Sequence, residues 1–101
     1  MIRGYLARST PVQHAELPAH EGVSTGVSAL DTEGDIEGGV WEHSVGTSTD
    51  TEVEEVFVVL SGRGTVTCDQ GGQILLEPGT VGMLPMGAKT VWSITEPLRK
   101  V

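Results

Sequence analysis

Four acidic side chains lie just ahead of the most apolar run of the chain. They are Asp50, Glu52, Glu54 and Glu55, and the run VFVVL follows them directly. Side chains alternate between the two faces of a strand, so Glu55 is predicted to lie on one face, at the start of the apolar run, and the other three on the opposite face, in solvent. A carboxylate among apolar side chains loses hydration, which suits it to general acid–base chemistry. Glu55 is therefore the predicted catalytic residue.

Two other segments carry groups that could line a binding site. In GVWEHSV, alternation places Trp41 and His43 on one strand face, and in TVWSIT it places Thr90 and Trp92 on one face. Large aromatic residues on strands more often pack in a core than contact a ligand. Trp92 is nevertheless of interest, because it shares its face with the polar Thr90.

The elements that position these groups are predicted to be strands. Residues 1–30 are interrupted by prolines and by glycines such as Gly26, and are predicted to form an irregular, extended N-terminal arm with at most one short strand. Residues 31–101 are predicted to form a β-barrel domain. From Gly38 onward, short apolar or alternating segments are separated by turn signals every eight to twelve residues. DQGG is predicted to connect a hairpin, and EPGT to form a type II turn. The absence of an amphipathic helical pattern indicates an all-β antiparallel sandwich or small barrel.

The amino-acid composition limits the classes of binding partner. The formal net charge is −8, and nine acids with no Lys or Arg lie between Asp31 and Glu55. This charge argues against a nucleic acid or an anionic membrane as partner. The acidic stretch is either a solvated edge or a negative mouth that attracts a cationic ligand or a metal. No apolar run reaches the roughly 20 residues of a membrane span, and a single cysteine excludes an internal disulfide, so a cytoplasmic protein is expected.

Two spacings resemble the motifs of the cupin superfamily. Gly46, Glu55 and Gly62 have the frame of the first motif, with six residues between Glu55 and Gly62, and GTVGMLPMG has the frame of the second. Within that superfamily the chain resembles the ureidoglycine aminohydrolase-like and ethanolamine-utilisation-type cupins. The residues that carry this narrower resemblance are Trp41, Glu42, Pro85, Gly87, Trp92, Arg99 and Lys100. The resemblance implies a single-domain cupin jelly roll, a double-stranded β-helix barrel, over roughly residues 38–101.

The same resemblance places the metal ligands of other cupins at Thr49, Thr51, Glu55 and Thr90. One carboxylate and three neutral hydroxyls are too few and too weak to hold a zinc, manganese or iron ion. No standard metal site and no cofactor are therefore expected. The resemblance implies a lumen around Glu55 that takes a small polar organic molecule. The residues predicted to line it are His43, Thr49, Thr51, Met83, Thr90 and Trp92.

Three function classes stay open at this stage. The first is binding of a small polar molecule in the lumen. The second is a metal-dependent or metal-free enzyme acting on a small nitrogenous or carbohydrate-derived metabolite. The third is a non-catalytic dimerisation module, since a homodimer is expected for so small a barrel. Glu55 could also form a purely structural ion pair with Arg99 or Lys100.

Overall fold

The computed structural model describes residues 2–101 and contains eight β-strands and, within those residues, no helix. The strands are β1 (Ala15–Glu16), β2 (Ser24–Leu30), β3 (Gly38–His43), β4 (Gly46–Thr51), β5 (Glu55–Cys68), β6 (Gln73–Leu76), β7 (Val81–Leu84) and β8 (Lys89–Lys100). The all-β class predicted from the sequence is confirmed. Residues 2–101 contain no helix that is long and apolar enough to cross a membrane.

Two long antiparallel strands, β5 and β8, organise the sheet. Its order is β1-β2-β3-β8-β5-β6, with β4 beside β8 and β7 beside β5. Each long strand changes partner along its length: β5 pairs first with β7 and then with β6, while β8 pairs first with β4 and then with β3. Register shifts between Val59 and Gly64 interrupt the β5–β8 ladder. Such irregularities bend a strand and increase its twist, so one face of the sheet can enclose the core.

The N-terminal segment is more regular than the sequence predicts. It contains β1 and β2, and β2 pairs with β3 from Thr25 opposite His43 to Leu30 opposite Gly38. The description of residues 1–30 as irregular is therefore corrected for residues 24–30. Gly26 was misread as a breaker: it lies inside β2, where a Cβ would come within 2.2 Å of the Gln13 carbonyl oxygen. A glycine in a strand often marks such a close approach of another backbone.

The core is built from the inward-facing alternate residues of the long strands and their neighbours. Its members are Phe57, Val59, Val66, Leu76, Leu84, Trp92, Ile94 and Leu98, with Trp41 and Ile74 packed against them. The apolar run VFVVL and the alternating segment GTVTC both belong to the single strand β5. The core thus lies between the two halves of a bent sheet, and its aromatic members lie toward the end where β4 and β5 meet.

The predicted turn over EPGT is confirmed. The Thr80 amide donates to the Glu77 carbonyl at 2.9 Å, and Gly79 has a φ of +94°. These are the hydrogen bond and the positive φ of a type II turn. Strand β7 begins directly after this turn.

Candidate functional site

The pairing of β4 with β8 decides which polar side chains face the interior. Ser48 pairs with Trp92 and Asp50 pairs with Thr90. Directly paired residues of antiparallel strands present their side chains on the same face. Because Thr90 and Trp92 are buried, Ser48 and Asp50 are the β4 residues on the interior face, with Asp50 at its rim.

The alternate residues of β4 face outward, and Thr49 and Thr51 are among them. Thr49 pairs with Val91 and Thr51 with Lys89, and all four residues are exposed. The prediction that Thr49 and Thr51 line a lumen is therefore wrong. That prediction placed the two threonines by the fixed spacing of the cupin motif before Glu55, as if one strand ran through all three residues. In the structure β4 ends at Thr51, and the chain turns before β5 begins. The alternation of side chains does not carry across that turn.

The turn between β4 and β5 buries a carboxylate, that of Glu52. Its backbone amide donates to the Ala88 carbonyl at 2.8 Å, and its own carbonyl accepts from the Gly87 amide at 2.7 Å. These two bonds tie the residue to the turn that precedes β8. Glu52 is only 7% exposed, so the prediction that it faces solvent is wrong.

The Glu52 side chain is held by two donors from β8. The Thr90 hydroxyl donates to its Oε2 at 2.6 Å, and the Trp92 indole Nε1–H donates to the same oxygen at 3.1 Å. Sequence reasoning missed this residue, although one signal was present: a buried tryptophan N–H usually has an acceptor. The two donors fix the direction in which the carboxylate points.

The second carboxylate oxygen of Glu52 is available. Within residues 2–101, Oε1 makes no hydrogen bond, while every buried polar side-chain atom there has a partner. Oε1 therefore keeps access to solvent, although the residue as a whole is buried. An oriented carboxylate with one open oxygen is a ready acceptor for an N–H or O–H group of a ligand.

Glu55 lies on the inward face of β5, as predicted, and forms an ion pair with Lys100. Lys100 is itself only 7% exposed. Arg99, the other candidate partner, instead binds Glu42 at 2.9 Å and two backbone carbonyls of the N-terminal segment at 2.8 Å. The alternative of an ion pair is thus realised with Lys100, while a catalytic role for Glu55 stays a prediction.

Three aromatic rings surround the Lys100 ammonium, and we call them the aromatic box: Trp41, Phe57 and Trp92. The Nζ atom lies 4.7 Å from the Trp41 ring centroid, 4.9 Å from that of Phe57 and 5.5 Å from that of Trp92. All three distances are within the range of cation–π attraction. The rings also pack on one another, with centroids 5.3 Å apart for Trp41 and Trp92.

A cavity of about 250 Å³ opens beside the aromatic box. All three rings line it, together with the charged residues Glu37, Asp50, Glu52, Glu55 and Lys100. A larger groove of about 630 Å³ runs along the outer ends of β4, β5 and β8, but it lacks an aromatic wall and is open to solvent. The smaller cavity is therefore the candidate site, because it combines apolar walls with a few converging charges.

The predicted site residues are only partly brought together. Glu55 and Trp92 line the cavity, whereas Thr90 supports Glu52 from outside it. Met83 pairs with Val56 on the outer face and is 72% exposed, so its predicted place in the lumen is wrong. The sequence does not contain the register of β7 against β5, and this register decides which face of β7 carries Met83.

His43 is fully buried but does not line the cavity. Its Nδ1 must carry the proton, because it bonds to the carbonyl oxygen of Ser44, and Nε2 then accepts from the Ser48 hydroxyl at 2.7 Å. Burial is the main cause that lowers the pKa of His43 below its ordinary value of 6.5, with smaller contributions from His14 and His20. The neutral imidazole thus connects β3 and β4 and is not among the side chains that line the cavity.

The donor set does not fit the metal of other cupins. Thr90 and Trp92 direct O–H and N–H groups at the one buried carboxylate, which is where a cation would have to lie. Lys100 supplies a further positive charge at Glu55. Among residues 2–101 no three His, Cys, Asp or Glu side chains are arranged to hold a metal ion. Hydrogen-bond donors thus occupy the space that ligands would need.

Comparison with known proteins identifies the fold. The family model of the EutQ-like cupin domain matches residues 30–101. The EutQ protein of Clostridium difficile is similar in structure, with a TM-score of 0.79 and 17% identity over 96% of this chain and 81% of that one. The Salmonella typhimurium protein assigned as ethanolamine utilization protein Q has a TM-score of 0.70 and 20% identity over 86% and 73% of the two chains. These likenesses confirm the cupin fold.

A third solved structure is nearer in sequence over a shorter stretch. A DUF861-family protein of Thermotoga maritima is 29% identical over 60% of this chain and 70% of its own, with a TM-score of 0.55. A search of the curated proteins found no match.

Proposed function

Because this chain belongs to the EutQ-like cupin family and encloses a small cavity between aromatic rings and carboxylates, we propose that it binds a small polar organic molecule around Glu55. The observation that carries the proposal is that Glu52 lines that cavity and has an open Oε1. Two donors orient the carboxylate, and no residue of the described chain uses its second oxygen. An oriented but unused acceptor favours a ligand that donates to it.

The cavity limits the size of the ligand. Ligand pockets commonly measure about 300–1,000 Å³, and this one measures about 250 Å³. A small metabolite fits that volume, whereas a nucleotide or an oligosaccharide does not. The aromatic box supplies apolar contact, and the carboxylates supply orientation.

The arrangement favours binding over turnover. Proton transfer needs a group that is free to exchange a proton with the ligand. Glu55 is engaged by Lys100, and both ring nitrogens of His43 are engaged by Ser44 and Ser48. Glu52 is the one cavity carboxylate that is both buried and partly unengaged, and it is best placed as an acceptor.

The test is a binding screen with matched variants. Small amines, amino acids, hydroxy acids and sugars are screened by saturation-transfer NMR against the wild type, Glu55→Gln and Glu21→Gln. Glu21 is exposed and remote from the cavity, so its variant is the control. We expect at least one class to bind, and Glu55→Gln to weaken it about tenfold, or about 1.4 kcal/mol. Equal binding by Glu55→Gln and the control would refute the proposal.

A further inference from the structure

Lys100 occupies a place in the cavity that a ligand could also take. Its ammonium lies within 5.5 Å of all three ring centroids of the aromatic box and pairs with Glu55. The side chain arrives there from the last residue of β8 and is 9% exposed. The box therefore binds an alkylammonium group already, one that is tethered to the chain.

Several aromatic faces around one point, with a carboxylate beside them, are the arrangement by which proteins recognise organic cations. The attraction to each ring is about 0.5–1 kcal/mol at exposed sites and about 2 kcal/mol or more where water is excluded. A free amine or a quaternary ammonium ion would meet the same rings and the same Glu55 carboxylate as Lys100 does. None of these contacts requires the cation to be covalently attached to the chain.

The charge of the cavity favours a cation. Four carboxylates line it, those of Glu37, Asp50, Glu52 and Glu55, against the single ammonium of Lys100. The lining thus keeps an excess of negative charge after Lys100 is counted. Glu52 lines the same cavity and has an open Oε1, which is a further acceptor. An anionic ligand would face this excess, whereas a cationic ligand would balance it.

We propose that the aromatic box is a subsite for an organic cation, a primary amine or a quaternary ammonium ion, and that Lys100 is its intramolecular competitor. The ligand's ammonium replaces that of Lys100 at Glu55 and the three rings, and the flexible lysine side chain turns out of the box. This inference rests on the proposed function, because it names the ligand class of the same cavity.

Competition by a tethered group has a measurable consequence. The apparent dissociation constant rises by the inverse of the fraction of molecules whose site is free. If Lys100 fills the box in nine molecules out of ten, its removal should tighten cation binding about tenfold. If Lys100 instead contacts the ligand directly, its removal should weaken binding. Competition and direct contact therefore predict opposite changes in the dissociation constant when Lys100 is removed.

The experiment compares Lys100→Met with Lys89→Met. Methionine keeps an unbranched apolar side chain without the charge, and Lys89 is an exposed lysine on the outer face of the same strand. Lys100→Gln serves as a second variant should Lys100→Met fail to fold. The probes are tetramethylammonium, methylammonium and acetate, and the readout is the titration of the indole N–H signals of Trp41 and Trp92 by NMR.

We expect Lys100→Met to bind tetramethylammonium at least about tenfold more tightly than the wild type and Lys89→Met. The double variant Glu55→Gln/Lys100→Met should lose that gain. Equal or weaker cation binding by Lys100→Met and Lys100→Gln would overturn the inference. Acetate binding that disappears with Lys100 would also overturn it, yet would leave the proposed function standing. Failure of every class in the wider screen, or equal binding by Glu55→Gln and its control there, would remove both.

Discussion

Glu52 shows how one buried carboxylate is held in place. Its Oε2 accepts from Thr90 and Trp92, and both donors come from the buried face of β8. A hydrogen bond to a charged group contributes about 1.5–3 kcal/mol to stability. Removing one donor leaves the carboxylate with part of its desolvation uncompensated. The cost of that loss can be measured directly.

Thr90→Val removes the hydroxyl while keeping the shape of the side chain. We expect it to lower the free energy of unfolding by about 1.5–3 kcal/mol in urea titrations. The control is Thr47→Val on the exposed outer face of β4, where a change within about 0.5 kcal/mol is expected. Equal values for the two variants would mean that the Glu52 contact contributes nothing measurable.

His43 predicts a pH dependence of stability. Burial lowers its pKa below the ordinary 6.5, so below about pH 6.5 the unfolded chain binds a proton that the folded protein excludes. Stability is therefore complete above pH 6.5 and falls as the pH decreases toward the lowered pKa, by at most about 1.4 kcal/mol per pH unit.

The measurement is the unfolding free energy of the wild type and His43→Gln between pH 7.5 and 5. The difference between them isolates this residue from the many acidic groups. We expect the stability of the wild type relative to His43→Gln to fall with decreasing pH. A difference that is constant with pH, or that grows in favour of the wild type, would contradict a neutral buried imidazole.

At the scale of elements, the irregular centre of β5 depends on a glycine. Gly62 has a φ of +94°, and a Cβ there would lie 2.1 Å from the Pro97 carbonyl oxygen on β8. Gly79 has the same φ of +94° with no atom within 4 Å of such a Cβ. The two positions share one conformational requirement and differ in the close approach of a neighbouring strand.

Gly62→Ala and Gly79→Ala therefore form a matched pair. The positive φ alone should cost each variant about 1–2 kcal/mol. Gly62→Ala should lose at least about 2 kcal/mol more, because two paired backbones must move apart. Thermal and urea unfolding give both values. Similar losses would show that the close approach to β8 is easily relaxed.

The strands differ in how well the sequence predicts them. The apolar and alternating segments that form β3, β5 and β8 are evident, because a buried face leaves a pattern of period two. Strand β4, with the sequence GTSTDT, has no such pattern, and its place in the sheet comes from pairing with β8. Strand β2 was hidden by Gly26, whose role is set by a distant segment of backbone.

The site was predictable to the extent that it follows from strand alternation. Glu55, Trp92 and the buried Thr90 were found in that way. Glu52 was not, because its orientation depends on a turn and on hydrogen bonds to another loop. The aromatic box was not predicted either, since Trp41, Phe57 and Trp92 come from three strands whose neighbours only the tertiary structure defines.

At the scale of the whole molecule, charge and shape act together. Nine acids lie between Asp31 and Glu55, and four of them reach the cavity: Glu37, Asp50, Glu52 and Glu55. The sequence left open whether this stretch is a solvated edge or a negative mouth. The structure divides this stretch: those four carboxylates line the cavity, whereas others, such as Glu33 and Glu54, are exposed and do not line it. Attraction of a cationic ligand stays a prediction.

The homodimer expected from the sequence stays a prediction. The outer face of β5 and β7 exposes Val56, Val81 and Met83, which are 66%, 60% and 72% exposed. Clustered apolar side chains of this kind are common at protein interfaces. The mass in solution, measured by light scattering, decides the oligomeric state.

Binding of a small polar molecule in the cavity beside the aromatic box can be measured directly. The chain has two tryptophans, both line that cavity, and their indole N–H signals are separate reporters in a ¹H–¹⁵N NMR spectrum. We would titrate the best compound from the screen and assign the two signals with Trp41→Phe and Trp92→Phe. If the compound binds in this cavity, we expect both indole signals to shift together and to give one dissociation constant. Binding that leaves both signals in place, and shifts amides of the outer groove near Thr49 and Lys89 instead, would contradict it.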